Sequence, residues 1–447
     1  ERLASSSPSP APESKSPIGT NLAPVVDWST EEPFADLMKQ SRAWISNTDT
    51  QWDDGRTIDV DAHGWPKSLK WGQHARSLVM WGDAKPSGDF VVTWKGTGSI
   101  DFWPQLADVS DHKAVIHAKA DVGGLAVTIT KTDEKDPIRD VRVSRAGNED
   151  KEFSPAFLDS LKGYSVLRFM DWMQTNDAHV EHWNDRAHVD DARWSTNGVP
   201  LEAMIDLANA AHADPWITIP DTWDDAALKE AAKLVHDKLD KHRMLYVESS
   251  NEVWNDLFPQ AKRAQAYGTA HALSKDPYEA QLRRHAMRSV EVFRWFTAQF
   301  AGERGRLVRV LGSHVENAWA SEVMLSTPDV AKNTDALAVA PYVGNTINDG
   351  SSVDAVFARL DKHLPDLLDK VKKQAAVAAK YKVRLVAYEG GQHLIAPGDD
   401  DEAKLYLAAN RDARMRDGYA RGLQGWKAAG GGLFGHYYDA GAPQKSG

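Results

Sequence analysis

The chain has 447 residues, 42% of them hydrophobic and 26% charged, with a formal net charge of −11. That balance excludes wholesale disorder, and the acidic surplus excludes nucleic acid as an expected partner. Cys is absent, which removes disulfides, thiolate metal sites and a Cys nucleophile, and no apolar run reaches the roughly 18 residues of a membrane span.

The first segment, Ala4–Pro17, is a Ser/Pro-rich tract that cannot bury apolar surface. It predicts a disordered tether over 1–18, of the kind that follows a cleaved export signal or a lipid anchor. The expectation is therefore a secreted or periplasmic protein, held at the cell surface by that tether. A strand is predicted at Gly19–Pro24 and a helix over Glu32–Trp44. From about Ser68 to Arg145 apolar residues alternate with period two, in Ser77–Trp81, Asp89–Trp94, Ser99–Trp103, Ala114–Ala120, Leu125–Thr130 and Ile138–Val143. Short alternating strands divided by Gly, Pro and Asp turns predict an antiparallel sheet or sandwich.

After Phe153 strands alternate with helices. The strands are Ser165–Met170, Pro215–Pro220, Met244–Ser249, Leu307–Leu311, Ala336–Ala340, Val383–Tyr388 and Gly432–Tyr437. Amphipathic helices are predicted at Val199–Ala213, Asp224–Lys241 and Leu364–Lys380. Several strands are continuous apolar runs, as parallel strands covered on both faces require. With Gly19–Pro24 they make eight, the count of a (β/α)8 TIM barrel of class α/β. The domain reading is a barrel over 19–60 and 149–447, with an antiparallel insertion over 61–148 after the first barrel strand. A doubly wound sheet is the rival, but no GxGxxG turn follows the first strand.

Active sites of such barrels lie at the C-terminal strand ends. Strand four ends in Asn251-Glu252, and strand seven in Glu389. Two Glu across a barrel mouth suit glycoside cleavage, in which one protonates the leaving oxygen and the other attacks or activates water. There are 17 Trp, and their flat apolar rings also suit sugars. Rings in or near strand-end loops, among them Trp172, Trp223 and Trp254, are candidate sugar platforms. Asp171 and Asp221 are placed to hydrogen-bond hydroxyls or brace Arg168. His314, His393 and Tyr437 also stand at strand ends. Glu316 is the rival carboxylate. Glu248, inside strand four, is expected to pair with an Arg or Lys. His179 and His182 offer a weak zinc alternative, and no HExxH pattern occurs.

These residues resemble the retaining glycoside hydrolases of clan A, which include the family 5 cellulases and mannanases. The resemblance implies Glu252 as acid/base, Glu389 as nucleophile, Asn251 on the sugar 2-hydroxyl, Arg168 near the nucleophile and Tyr342 donating to it. It covers the barrel and not the insertion. Two positions depart from family 5: Ala340 stands where a His is usual before the strand-six Tyr. His436, Tyr437 and Tyr438 stand where a Trp is common after strand eight. The segments Arg168–Met173, Ser250–Asn255 and Tyr388–His393 also resemble bacterial proteins often named only cellulose-binding. The expected function is a retaining glycosidase acting on a polysaccharide or oligosaccharide, β-linked, as a monomer without cofactor or metal. The alternative is a barrel that binds polysaccharide without cleaving it.

Overall fold

The computed structural model describes residues 18–438 apart from 83, 85, 106, 120, 121, 177, 345–351 and 397–399. The expected tether at 1–17 lies outside the described residues. Eight strands, β1 (Ile18–Asn21), β2 (Val166–Arg168), β3 (Asp214–Ile219), β4 (Leu245–Ser249), β5 (Leu307–Gly312), β6 (Ala336–Val339), β7 (Arg384–Ala387) and β8 (Gly431–His436), form a closed barrel in that order. Every neighbouring pair is parallel, and β8 closes on β1. The fold is the (β/α)8 barrel that the strand–helix alternation predicts.

The apolar runs follow from this closure. Along β3 and β4, Trp216 and Tyr246 belong to a cluster inside the barrel, while Ile217 and Val247 belong to another under the surrounding helices. Each strand is apolar on both faces because each face is covered. Toward the C-terminal ends the inward positions turn polar. Two residues beyond Val166 stands Arg168, and two beyond Tyr246 stands Glu248, both buried. The pleat thus delivers a charged layer at the mouth.

Predicted helices appear at Leu201–Ala210, Asp225–Lys238 and within Val353–Tyr381. Asp224 caps the second, its carboxylate accepting from the Ala227 amide at 2.7 Å. No helix among the described residues is long and apolar enough to cross a membrane. The helix expected over Glu32–Trp44 is absent; only the 3-10 turn Leu37–Gln40 forms there. Its amides are drawn into tertiary pairing: Ala35 N–H donates to the Glu152 carbonyl and Arg42 N–H to that of Leu78. Its side chains are also divided, Phe34 into the barrel core and Leu37 and Met38 into that of the insertion.

Between β1 and β2 lies a two-sheet antiparallel sandwich. One sheet runs Ile45–Asn47, His74–Trp81, Gly124–Thr132, Gly98–Trp103; the other runs Arg139–Arg145, Gly88–Lys95, Lys113–Ala118, Ala107–Ser110. Val79, Leu125, Val127, Ile129, Ile100 and Phe102 of the first meet Phe90, Val92, Ala114, Ile116 and Val143 of the second in one core. Ile45–Asn47, ahead of residue 61, pairs with His74–Arg76 in this sandwich.

Candidate active site

Arg168 organises the mouth of the barrel. It ends β2, is almost wholly buried, and its guanidinium meets four acceptors. Nε and Nη2 donate to Glu248 Oε2 at 3.1 and 2.9 Å. Nη1 donates to Asn21 Oδ1 at 2.9 Å and to Glu389 Oε2 at 3.3 Å, and Nη2 to Asn251 Oδ1 at 2.8 Å. The planar fork of Arg makes this divergence possible, since a Lys would offer a point charge. Its carbon lies 5.0 Å from the Tyr388 ring centre and 5.6 Å from that of Trp216. Burial works against the charge, but Glu248 and Glu389 outweigh it and raise the Arg168 pKa. Burial also raises Glu248. Three N–H donors converge on its Oε2, the third being Trp216 Nε1 at 2.9 Å, and they favour the carboxylate against that burial.

Glu252 follows β4 on a strained turn. Ser250 (φ 60°) and Glu252 (φ 44°) both adopt the left-handed conformation that non-glycine residues avoid. Such residues cost about 1–3 kcal/mol each and persist where the surroundings over-determine them. Here Asn251 between them is pinned: Oδ1 accepts from Arg168, Nδ2 donates to Asn176 Oδ1 at 3.1 Å, and its carbonyl accepts from Gln260 Nε2 at 2.8 Å. The turn aims Glu252 inward, where Oε1 accepts from the Tyr388 hydroxyl at 2.8 Å and Oε2 from Asn255 Nδ2 at 3.0 Å.

Glu389 follows β7. Besides Arg168, it accepts from the Tyr342 hydroxyl at 3.0 Å on Oε1. Burial and then the Glu252 carboxylate push Glu389 up to about 8, and burial pushes Glu252 up as well. The two carboxyls feel each other's charge, so they titrate as a pair that keeps one proton near neutrality. The donors are unequal. Glu389 faces a fixed cation, whereas Glu252 faces only neutral donors. Arg168 and the Tyr342 hydroxyl therefore favour the charge on Glu389, acting against burial and the Glu252 carboxylate.

The other sequence candidates divide. Asp171 accepts from the Tyr438 hydroxyl at 2.7 Å, and Tyr437 and His393 pack on Tyr342, with ring centres 6.0 and 5.1 Å away. Trp254 stacks on His314 with ring centres 3.9 Å apart. Glu316 is ion-paired with Lys370 of the helix Val353–Tyr381. Asp221 is held by Arg263 at 2.7 Å. Trp172 and Trp223 are core residues, not platforms. Trp172 packs on Phe34 and Phe169 with Nε1 donating to the Ala23 carbonyl, and Trp223 is closed off edge-on by Trp183. His182 pairs with Asp224 at 2.8 Å.

Four participants are not among the site residues that the sequence singles out. Asn21 lies on β1, Trp216 points inward from β3, Tyr388 precedes Glu389, and Tyr438 lies beyond β8. For Tyr388 a signal exists: period two from Val386 turns it into the barrel.

No family model and no curated protein matches the chain. Among solved structures it is similar to a family 51 arabinofuranosidase from Xanthomonas axonopodis pv. citri, at 14% identity and TM-score 0.38, over 64% of this chain and 60% of that one. It is similar to a modular endo-β-1,4-mannanase of family 26 from Cellulomonas fimi, at 12% identity and TM-score 0.34, over 61% of this chain and 57% of that one. A family 5 glycoside hydrolase from Prevotella bryantii follows at 11% identity and TM-score 0.35, over 63% and 78%. The match spans less than two thirds of the length of the first two.

Proposed function

We propose that the chain is a retaining glycoside hydrolase that cleaves a β-linked polysaccharide. One observation carries the reading: two buried carboxyls stand at the ends of β4 and β7, each held by its own donors, and the one on β7 meets the Arg168 cation. Glu252 protonates the glycosidic oxygen as the bond to the anomeric carbon breaks. Glu389 attacks that carbon and forms a glycosyl-enzyme ester. Glu252, now a carboxylate, takes a proton from water. The water oxygen displaces Glu389 and returns the starting state. Asn251, held by Arg168 and Asn176, is placed to present its amide to the sugar beside the bond.

The test is hydrolysis of a polysaccharide panel, including cellulose, mixed-linkage glucan, mannan, xylan and arabinan, with product anomers followed by NMR. Glu389→Gln is expected to abolish turnover, and Glu252→Gln to lower it by about 10²–10⁴-fold. The anomer is expected to be retained. Full activity in Glu389→Gln, or an inverted product, would overturn the mechanism.

A further inference from the structure

The sandwich carries a second set of aromatic rings, away from the two carboxyls. In the sheet containing His74–Trp81, inward residues such as Ala75, Met80, Val127 and Phe102 fill the core, so Arg76, Trp81, Thr128 and Trp103 lie on the outer face, a bulge at Val79 shifting the alternation between Arg76 and Trp81. Trp81 lies flat on that face. A Cβ at Gly124 of the neighbouring strand would fall 2.1 Å from its Cε3, so the bare backbone there is its seat. Trp52 adjoins it, ring centres 5.5 Å apart, with the Arg76 guanidinium 4.4 Å from the Trp52 ring. Trp103 stands on the far strand beside Ala126, with Nε1 tied to the Val122 carbonyl. Trp28 lies beside the end of the strand His74–Trp81, its Cβ next to Gly82 and its ring 5.7 Å from the Arg42 guanidinium. Trp28, Trp52 and Trp103 are 45%, 51% and 49% exposed, although backbone, cations or neighbouring rings hold each of them in place.

We propose that this face is a separate glycan-binding platform that takes a chain of pyranose rings. Each half-exposed ring offers a flat apolar surface to sugar C–H groups, and the interspersed Arg76, Thr128 and Asp101 offer hydrogen bonds to hydroxyls. Rings already backed lose little freedom when a ligand stacks on them. The chain segment 24–28 ties this face to the barrel mouth. Asp27, next to Trp28, takes the Trp81 amide on its carbonyl at 2.8 Å and Arg42 on its carboxylate at 2.9 Å. Pro24, Val25 and Val26 just before it line a cavity of about 270 Å³ with Asp171 and Asn176, and the partners of those two, Tyr438 and Asn251, belong to the site. The choice of a glycan as ligand rests on the function proposed above; the platform itself does not.

The test is affinity electrophoresis of the whole chain carrying Glu389→Gln, in gels containing hydroxyethyl cellulose, mixed-linkage glucan, galactomannan, xylan or arabinan. At least one glycan is expected to retard it. Trp52→Ala and Trp28→Ala are each expected to weaken that binding about tenfold, the order of one stacking contact. Trp71→Ala is the control: that ring is 98% exposed at the turn that starts the strand, the end opposite Trp81. Trp52→Phe, which keeps a ring, is expected to restore most of the binding, and a Tm equal to the parent shows that the variants fold. Retardation without hydrolysis by the parent chain would support the platform while sinking the proposed function. Hydrolysis without retardation by any glycan, or retardation unchanged in the Trp28→Ala/Trp52→Ala double variant, would overturn the platform.

Discussion

Glu252 has both carboxyl oxygens engaged by the protein itself, by Tyr388 and by Asn255. The Tyr388 hydroxyl favours the ionised form and so works against the upward push of burial. Tyr388→Phe removes that donor, so the Glu252 pKa rises further and the acid holds its proton to higher pH. The alkaline limb of kcat/KM is expected to move up, and kcat to fall, because a weaker acid transfers its proton less readily. A pH–rate profile checks this; an unmoved limb would leave Tyr388 a packing residue. The residue scale is also where sequence reading falls short. Asn251, Glu252 and Glu389 are legible because each follows an apolar run at a strand end. Trp172 and Trp223 stand at strand ends too, yet they are buried. Trp looks the same in sequence whether its ring fills a core or faces a ligand, and only the packing of Phe34, Phe169 and Trp183 around these two decides it.

At the scale of elements, the barrel is legible because closure covers both faces of each strand and leaves strands of four to six residues that are mostly apolar. The segment after β1 is not, because two cores compete for it and its amides pair with residues more than 30 positions away. Register inside the barrel is equally hidden, yet it places the site. Gly312 ends β5 beside Glu248, and a Cβ there would fall 2.8 Å from Glu248 Oε1. Gly312→Ala therefore pushes on the carboxylate that anchors Arg168 while touching no substrate. It is expected to destabilise the chain by about 1–3 kcal/mol, as overpacking does, and to lower kcat with it. Denaturant unfolding and turnover measured together check this. A loss of stability with unchanged kcat would show that Glu248 can shift without moving Arg168.

At the scale of the whole molecule, the raised Glu389 pKa makes stability depend on pH. The group sits at about 8 when folded, against roughly 4.3 in an unfolded chain. The folded state therefore holds this proton more firmly than the unfolded state does. That contribution is complete below about pH 4 and is lost as pH rises through about 8. Glu389→Gln, which cannot ionise, is expected to gain Tm relative to the parent between about pH 5 and about pH 9. Calorimetric scans across that range check it, and parallel curves would mean that no such proton is held.

Barrel closure also sets the order in which the site can be finished during synthesis. Of the eight strands, β1 leaves the ribosome first and β8 last, yet Gly19 pairs with Gly435. Asn21, which receives the Arg168 guanidinium, donates its own amide to the His436 carbonyl at 2.9 Å. The sandwich, by contrast, is drawn from one continuous stretch and has all its strands long before then. A nascent chain halted before residue 431 thus carries a complete sandwich beside an open ring, with Asn21 missing one of the two carbonyls, those of Tyr388 and His436, that hold its amide. The last strand made completes a site whose first ligand emerged some four hundred residues earlier.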